Sequence, residues 1–79
     1  MDQRVVAILA DVFRLRKAEV HLELKKDDVG SWDSLTQMDL VLSLEREYAI
    51  ELAIPDILRM VSVKGILGVL KEKGISLEN

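Results

Sequence analysis

Apolar residues return along the first segment at helical spacing, with Val5, Ile8, Leu9, Val12 and Phe13 at i, i+3, i+4, i+7 and i+8. That pattern predicts a helix from Asp2 to about Arg16. Asp2 is placed to cap its start, and Arg14, Arg16 and Lys17 suit the negative end of its dipole. From Ala18 to Trp32 the period breaks. Val20, Leu22 and Leu24 alternate with polar neighbours as a strand would, but the chain offers them no second strand. The stretch therefore reads as a long loop pinned to the core by those three side chains. Lys25-Lys26-Asp27-Asp28 ahead of Gly30 marks an exposed turn within it. A loop this long in a small domain usually serves a function.

A second helix is predicted from Ser34 to about Tyr48. Leu35, Met38, Leu40, Val41, Leu42, Leu44 and Tyr48 cover more than one of its faces. Such a helix is either central in the core or offers apolar side chains to another molecule. After the apolar link Ile50 to Ile54, Pro55 opens a brief third helix that ends near Met60. Ser62 caps the last helix, Val61 and Ile66 stand at the N′ and N4 positions of a staple, and Gly74 ends it. Its buried stripe is Val63, Ile66, Leu67 and Leu70. Residues 74–79 are expected to form a flexible tail. The expected architecture is all-α: a four-helix bundle of three longer helices and a short third one, with a long first loop. The 79 residues make a single domain whose core spans about residues 3–73.

Composition narrows the function classes. A hydrophobic share of 49% with only 4% aromatic describes an aliphatic core and excludes intrinsic disorder. The apolar run Val5 to Ala10 is stopped by Asp11, far short of the roughly 20 residues of a membrane span, and too short for a secretory signal. The absence of cysteine removes disulfides and thiolate metal sites and suits a reducing compartment. The expectation is a soluble cytoplasmic monomer that binds neither membranes nor nucleic acid. Charge supports the last point. Between Asp33 and Glu51 lie five acids and one base, a net of −4, while the rest of the chain carries +1. That segment suits a basic protein partner and repels phosphates.

One constellation carries chemistry. Trp32-Asp33-Ser34-Leu35 leads into the second helix, where free N–H groups and the dipole favour a phosphate on the serine. Ser34 with Gln37 also reads as a capping box, the commoner role for such a serine. Other residues carry less. A Ser34–His21 hydrolytic pair would need an orienting acid and an oxyanion hole in a chain with little room for them. Asp27, Asp28 and Asp33 miss calcium-loop spacing, since Lys25 falls at the first ligand position. No catalytic or metal-binding residue is assigned, and Trp32 is read as a loop anchor.

Asp33-Ser34-Leu35 at the start of a second helix resembles the attachment motif of the acyl carrier protein family. Leu40, Leu44 and Tyr48 stand where that family places core residues of the same helix. Tyr48 to Leu52 is similar to its aromatic-x-x-x-aliphatic link, and Met60-Val61-Ser62-Val63 to the start of its last helix. The resemblance implies a carrier and not an enzyme: Ser34 would accept 4′-phosphopantetheine from coenzyme A through a magnesium-dependent phosphopantetheinyl transferase. The arm's thiol would then hold an acyl group as a thioester for successive enzymes. It further implies partner recognition by Asp33, Leu35, Met38 and Leu42, with Asp39 and Glu45 facing basic docking patches. Leu44, Ile57, Met60 and Ile66 are the expected lining for an acyl chain, or else plain core. Thr36 and Arg46 replace acids usual in type II fatty-acid carriers, and the Trp-Asp-Ser-Leu form is similar to discrete carriers of specialised pathways. An aminoacyl or peptidyl carrier shares the same features. A helical adaptor that never receives the arm is the reading from another class.

Overall fold

A computed structural model describes residues 1–77. Helix α1, Gln3–Phe13, starts where expected: the Asp2 carboxylate accepts the amides of Arg4 (2.8 Å) and Val5 (3.3 Å). Val5, Leu9 and Phe13 of the predicted stripe are buried, together with Val6 and Ala10, while Ile8 and Val12 are only partly covered. The helix stops short of Arg16. Arg14 takes a left-handed conformation (φ 59°), and the Leu15 amide reaches back to the Ala10 carbonyl at 2.9 Å, which turns Leu15 toward the core. A left-handed non-glycine residue costs about 1–2 kcal/mol. The αL closure and the packing of Leu15 offset that cost.

The long connector is more ordered than its sequence suggests. Two short 3₁₀ turns, Lys17–Glu19 and Lys26–Asp28, are each closed by an acid accepting a backbone amide three residues back. Val20 and Leu24 are buried as expected, but Leu22 is exposed and Val29 supplies the third apolar anchor. The strand-like alternation does find a partner for one residue pair. The Lys26 amide donates to the Val61 carbonyl and the Val63 amide to the Leu24 carbonyl, both at 2.9 Å, on either side of a bridge between Lys25 and Ser62. Trp32 is the expected anchor, 3% exposed and stacked on Phe13 with ring centroids 4.2 Å apart.

Three further helices complete the bundle: α2, Ser34–Tyr48; α3, Ile54–Arg59; and α4, Val63–Glu72. No strand forms among the described residues. Leu40, Val41 and Leu44 of α2 are buried, as are Val63, Ile66, Val69 and Leu70 of α4, while Leu67 is partly buried. Ser62 caps α4 by accepting the Gly65 amide at 2.9 Å. The staple is incomplete, since Ile66 is wholly buried and Val61 stays half exposed. A side chain at Gly65 would collide with the Arg59 carbonyl, so glycine allows α3 to end against the first turn of α4. Helix α3 itself buries no residue fully. Arg59 pairs with Glu72 through both carboxylate oxygens (2.7 and 2.8 Å), and Lys73 meets Asp56 at 3.0 Å, tying α3 to the end of α4.

Gly74 (φ 86°) ends α4 as predicted, with the Ile75 amide donating to the Leu70 carbonyl. The expected tail is tied down in its described part, for Ile75 and Leu77 pack against the core. Glu78 and Asn79 lie outside the described residues. The radius of gyration, 11.3 Å, is close to the about 12 Å expected of one compact domain of this length.

Candidate functional site

At the start of α2 the capping role falls to Asp33 and not to Ser34. Asp33 has extended backbone angles, and its carboxylate accepts the Thr36 amide at 2.9 Å. The bond from the Thr36 amide, above all, holds the Asp33 carboxyl below its usual range. Ser34 is therefore the first residue inside the helix. It is exposed, and its hydroxyl makes no hydrogen bond among the described residues. With the Thr36 amide taken by Asp33, the amides of Ser34 and Leu35 and the positive end of the helix dipole remain for a phosphate on that oxygen.

The expected capping box fails for a second reason: Gln37 turns inward. It is the buried polar side chain of the core, and its Oε1 accepts the Trp32 indole N–H at 2.6 Å. Its Nε2 donates to the carbonyls of Met60 (3.0 Å) and Ile57 (3.3 Å). One side chain thus joins the connector, the first turn of α2 and the end of α3. Sequence reasoning missed this hub. The available signal was Trp32, whose indole N–H needs an acceptor once it is buried. Ser31 adds a strap on the other side, donating its hydroxyl to the Phe13 carbonyl at 2.6 Å. The serine-bearing turn is held on both flanks.

Past Ser34, Leu35 (81% exposed), Met38 (48%) and Leu42 (57%) stand on the surface of α2 beside exposed Asp39. They form one wall of a cleft of about 720 Å³, closed opposite by Asp11, Val12 and Arg14 at the end of α1. Asp33 also borders it. The structure therefore brings together five of the six residues expected to meet partners. The sixth, Glu45, is partly buried, and its carboxylate accepts the Leu52 amide at 2.9 Å, which engages it in the α2–α3 link. Leu44, Met60 and Ile66, expected to line an acyl chain, are wholly buried, and Ile57 packs against the core. None of the four borders the cleft.

His21 is exposed on the connector and forms no hydrogen bond with Ser34 among the described residues. No group of three histidine, aspartate or glutamate side chains is placed to hold a metal ion there. No described helix is long and apolar enough to cross a membrane. Residues 3–70 match the phosphopantetheine attachment site family, and the chain belongs to that family. It is a site of covalent 4′-phosphopantetheine attachment, in a class of domains that carry and do not catalyse. The start of α2 fits such a group: it has an exposed hydroxyl, free amide donors beside it and open space alongside.

Proposed function

We propose that Ser34 is the attachment residue and that the protein is a discrete carrier presenting an acyl group to successive enzymes. The observation that supports this most is the release of the Ser34 hydroxyl from capping by Asp33, in a chain of this family. When bound, the arm supplies a terminal thiol that holds cargo as a thioester, which a cysteine-free chain cannot do itself. The chain's own residues do the rest. Ser34 Oγ would form the phosphodiester bond as the pyrophosphate bond of coenzyme A breaks and adenosine 3′,5′-bisphosphate leaves, the hydroxyl giving its proton to the transferase. Asp33 orders the turn, and the first amides of α2 face the phosphate. Leu35, Met38 and Leu42 give the partners apolar contact, while Asp33 and Asp39 draw basic surfaces, with Glu45 contributing at longer range.

Cargo reaching between the helices would have to part Leu44, Ile57, Met60 and Ile66, whose close packing favours short or polar acyl groups. The carrier acts in the cytoplasm as a monomer, with the transferase and the acyl-loading and acyl-transfer enzymes as its partners. Intact mass tests the attachment. After incubation with coenzyme A, magnesium and a broad-specificity phosphopantetheinyl transferase, the protein is expected to gain one arm and Ser34→Ala none. A gain in the variant would move the attachment elsewhere. No gain in either protein would favour the adaptor reading.

A further inference from the structure

We propose that the cleft between the end of α1 and the first half of α2 is the resting site of the pantetheine arm in the free carrier; this rests on Ser34 being the attachment residue. The first reason is continuity. Asp33 and Leu35, the two neighbours of Ser34 in the chain, both border the cleft; Ser34 itself does not line it, so an arm on its Oγ enters by turning over the first turn of α2.

The second reason is the match of size and chemistry. About 720 Å³ lies within the range of small-molecule sites. A pantetheine arm alternates apolar segments with two amides and carries geminal methyl groups. Val12, Met38 and Leu42 offer surface to its apolar segments. Arg14 takes part in no ion pair among the described residues, which leaves its guanidinium to donate to amide carbonyls. The Asp39 carboxylate can accept amide N–H groups from the opposite wall. Thr36 and Ser31 add neutral hydroxyls to the same lining, between the carboxylates of Asp11, Asp33 and Asp39.

The third reason is the uncovered apolar surface. Leu35, Met38 and Leu42 lie on one helix face, and a tethered ligand covers them without a second protein. Tethering also relaxes the affinity required. A short tether gives an effective concentration in the millimolar range, so contacts too weak to capture free pantetheine still hold the arm for much of the time. The helix interior offers no equal alternative, because Leu44, Met60 and Ile66 have no exposed surface. Partner enzymes that bind this face then displace the arm from it and take up the thioester in one event.

The test uses isotope-labelled protein loaded from unlabelled coenzyme A, with loading verified by intact mass. Filtered nuclear Overhauser contacts are then collected from the arm's geminal methyl groups. Contacts to the methyl groups of Val12, Met38 and Leu42 are expected. They should fall severalfold in loaded Arg14→Glu, which replaces the amide-donating guanidinium of the α1 wall at an exposed position outside the surface that meets partners. A loaded protein without these contacts, with contacts to Leu44, Ile57, Met60 or Ile66 in their place, or with contacts undiminished in Arg14→Glu, overturns the resting site while Ser34 remains the attachment residue. A mass that stays at the unloaded value, under conditions that load another carrier, overturns the attachment reading and this proposal with it.

Discussion

Ser34 and Asp33 divide the start of α2 between them, one left free for chemistry and the other holding the helix. Ser34→Ala should therefore abolish loading yet change stability by no more than about 0.5 kcal/mol, as for an ordinary surface substitution. Asp33→Ala should lower the urea midpoint, because the Thr36 amide loses its acceptor. That effect depends on pH in a defined direction. The folded carboxyl sits below its unfolded value of about 4, so the stabilisation is present above that pH and is lost as pH falls through the folded value. Urea midpoints of wild type and Asp33→Ala should accordingly differ at neutral pH and converge in acid. A gap that stayed constant down to low pH would argue against the capping role. Gln37 is the more expensive residue to remove. Gln37→Met keeps the volume but leaves the buried Trp32 N–H without its acceptor and the Met60 carbonyl without its donor, while the Ile57 carbonyl keeps the Met60 amide. Each unsatisfied group costs about 1–3 kcal/mol, and equilibrium unfolding measures the sum. A loss under 1 kcal/mol would mean that water replaces the amide.

The α2 helix works on two faces at once. Leu40, Val41 and Leu44 point into the core, while Leu35, Met38, Asp39 and Leu42 point to solvent. The outer face combines apolar contact with negative charge, and these respond differently to salt. Charge steering acts on association rate and is screened over about 8 Å at physiological ionic strength. Asp39→Lys should slow loading by the transferase most at low salt, and the difference from wild type should shrink as salt rises. Leu35→Ala should slow loading by a factor that salt hardly alters, since it removes apolar area. Loading rates across a salt series separate the two. Equal rates for wild type and Asp39→Lys at low salt would show that the acid is only a solvated surface group. Asp39 is the cleaner choice for charge reversal than Glu45, whose carboxylate also holds the Leu52 amide. A lysine at that position would disturb the α2–α3 link as well.

A chain of 79 residues has about 4–12 kcal/mol of stability to lose, on the usual 0.05–0.15 kcal/mol per residue. Single core positions therefore matter to the whole molecule. Phe13 is 1% exposed, stacks on Trp32 and ends the buried stripe of α1. Phe13→Ala is expected to cost about 3–5 kcal/mol, a large share of that total. Because the chain has one tryptophan, its fluorescence reports the event directly. The variant should show red-shifted emission and a lower urea midpoint. Emission like that of the wild type would mean that Gln37 alone keeps the indole in place.

Helical spacing, cap residues and Gly74 determined the four helices, because those signals act over three or four neighbours in the chain. The Asp-Ser-Leu motif and its place in the helix order likewise determined the family from sequence alone. The rest depended on groups distant in sequence. The Leu15 amide closing back on Ala10 within the packed end of α1 ended that helix early, and the Val61–Val63 segment gave the strand-like connector its single bridge. Gln37 left the capping box because three polar groups, from Trp32, Ile57 and Met60, converge where its side chain is buried. The cap of α2, read from the sequence as Ser34, falls to Asp33, a residue type equally suited to that position. Only the three-dimensional path of the turn placed the carboxylate under the Thr36 amide and left the hydroxyl in solvent. The cleft beside it belongs to no local pattern, because its two walls come from different helices and exist only once these have packed.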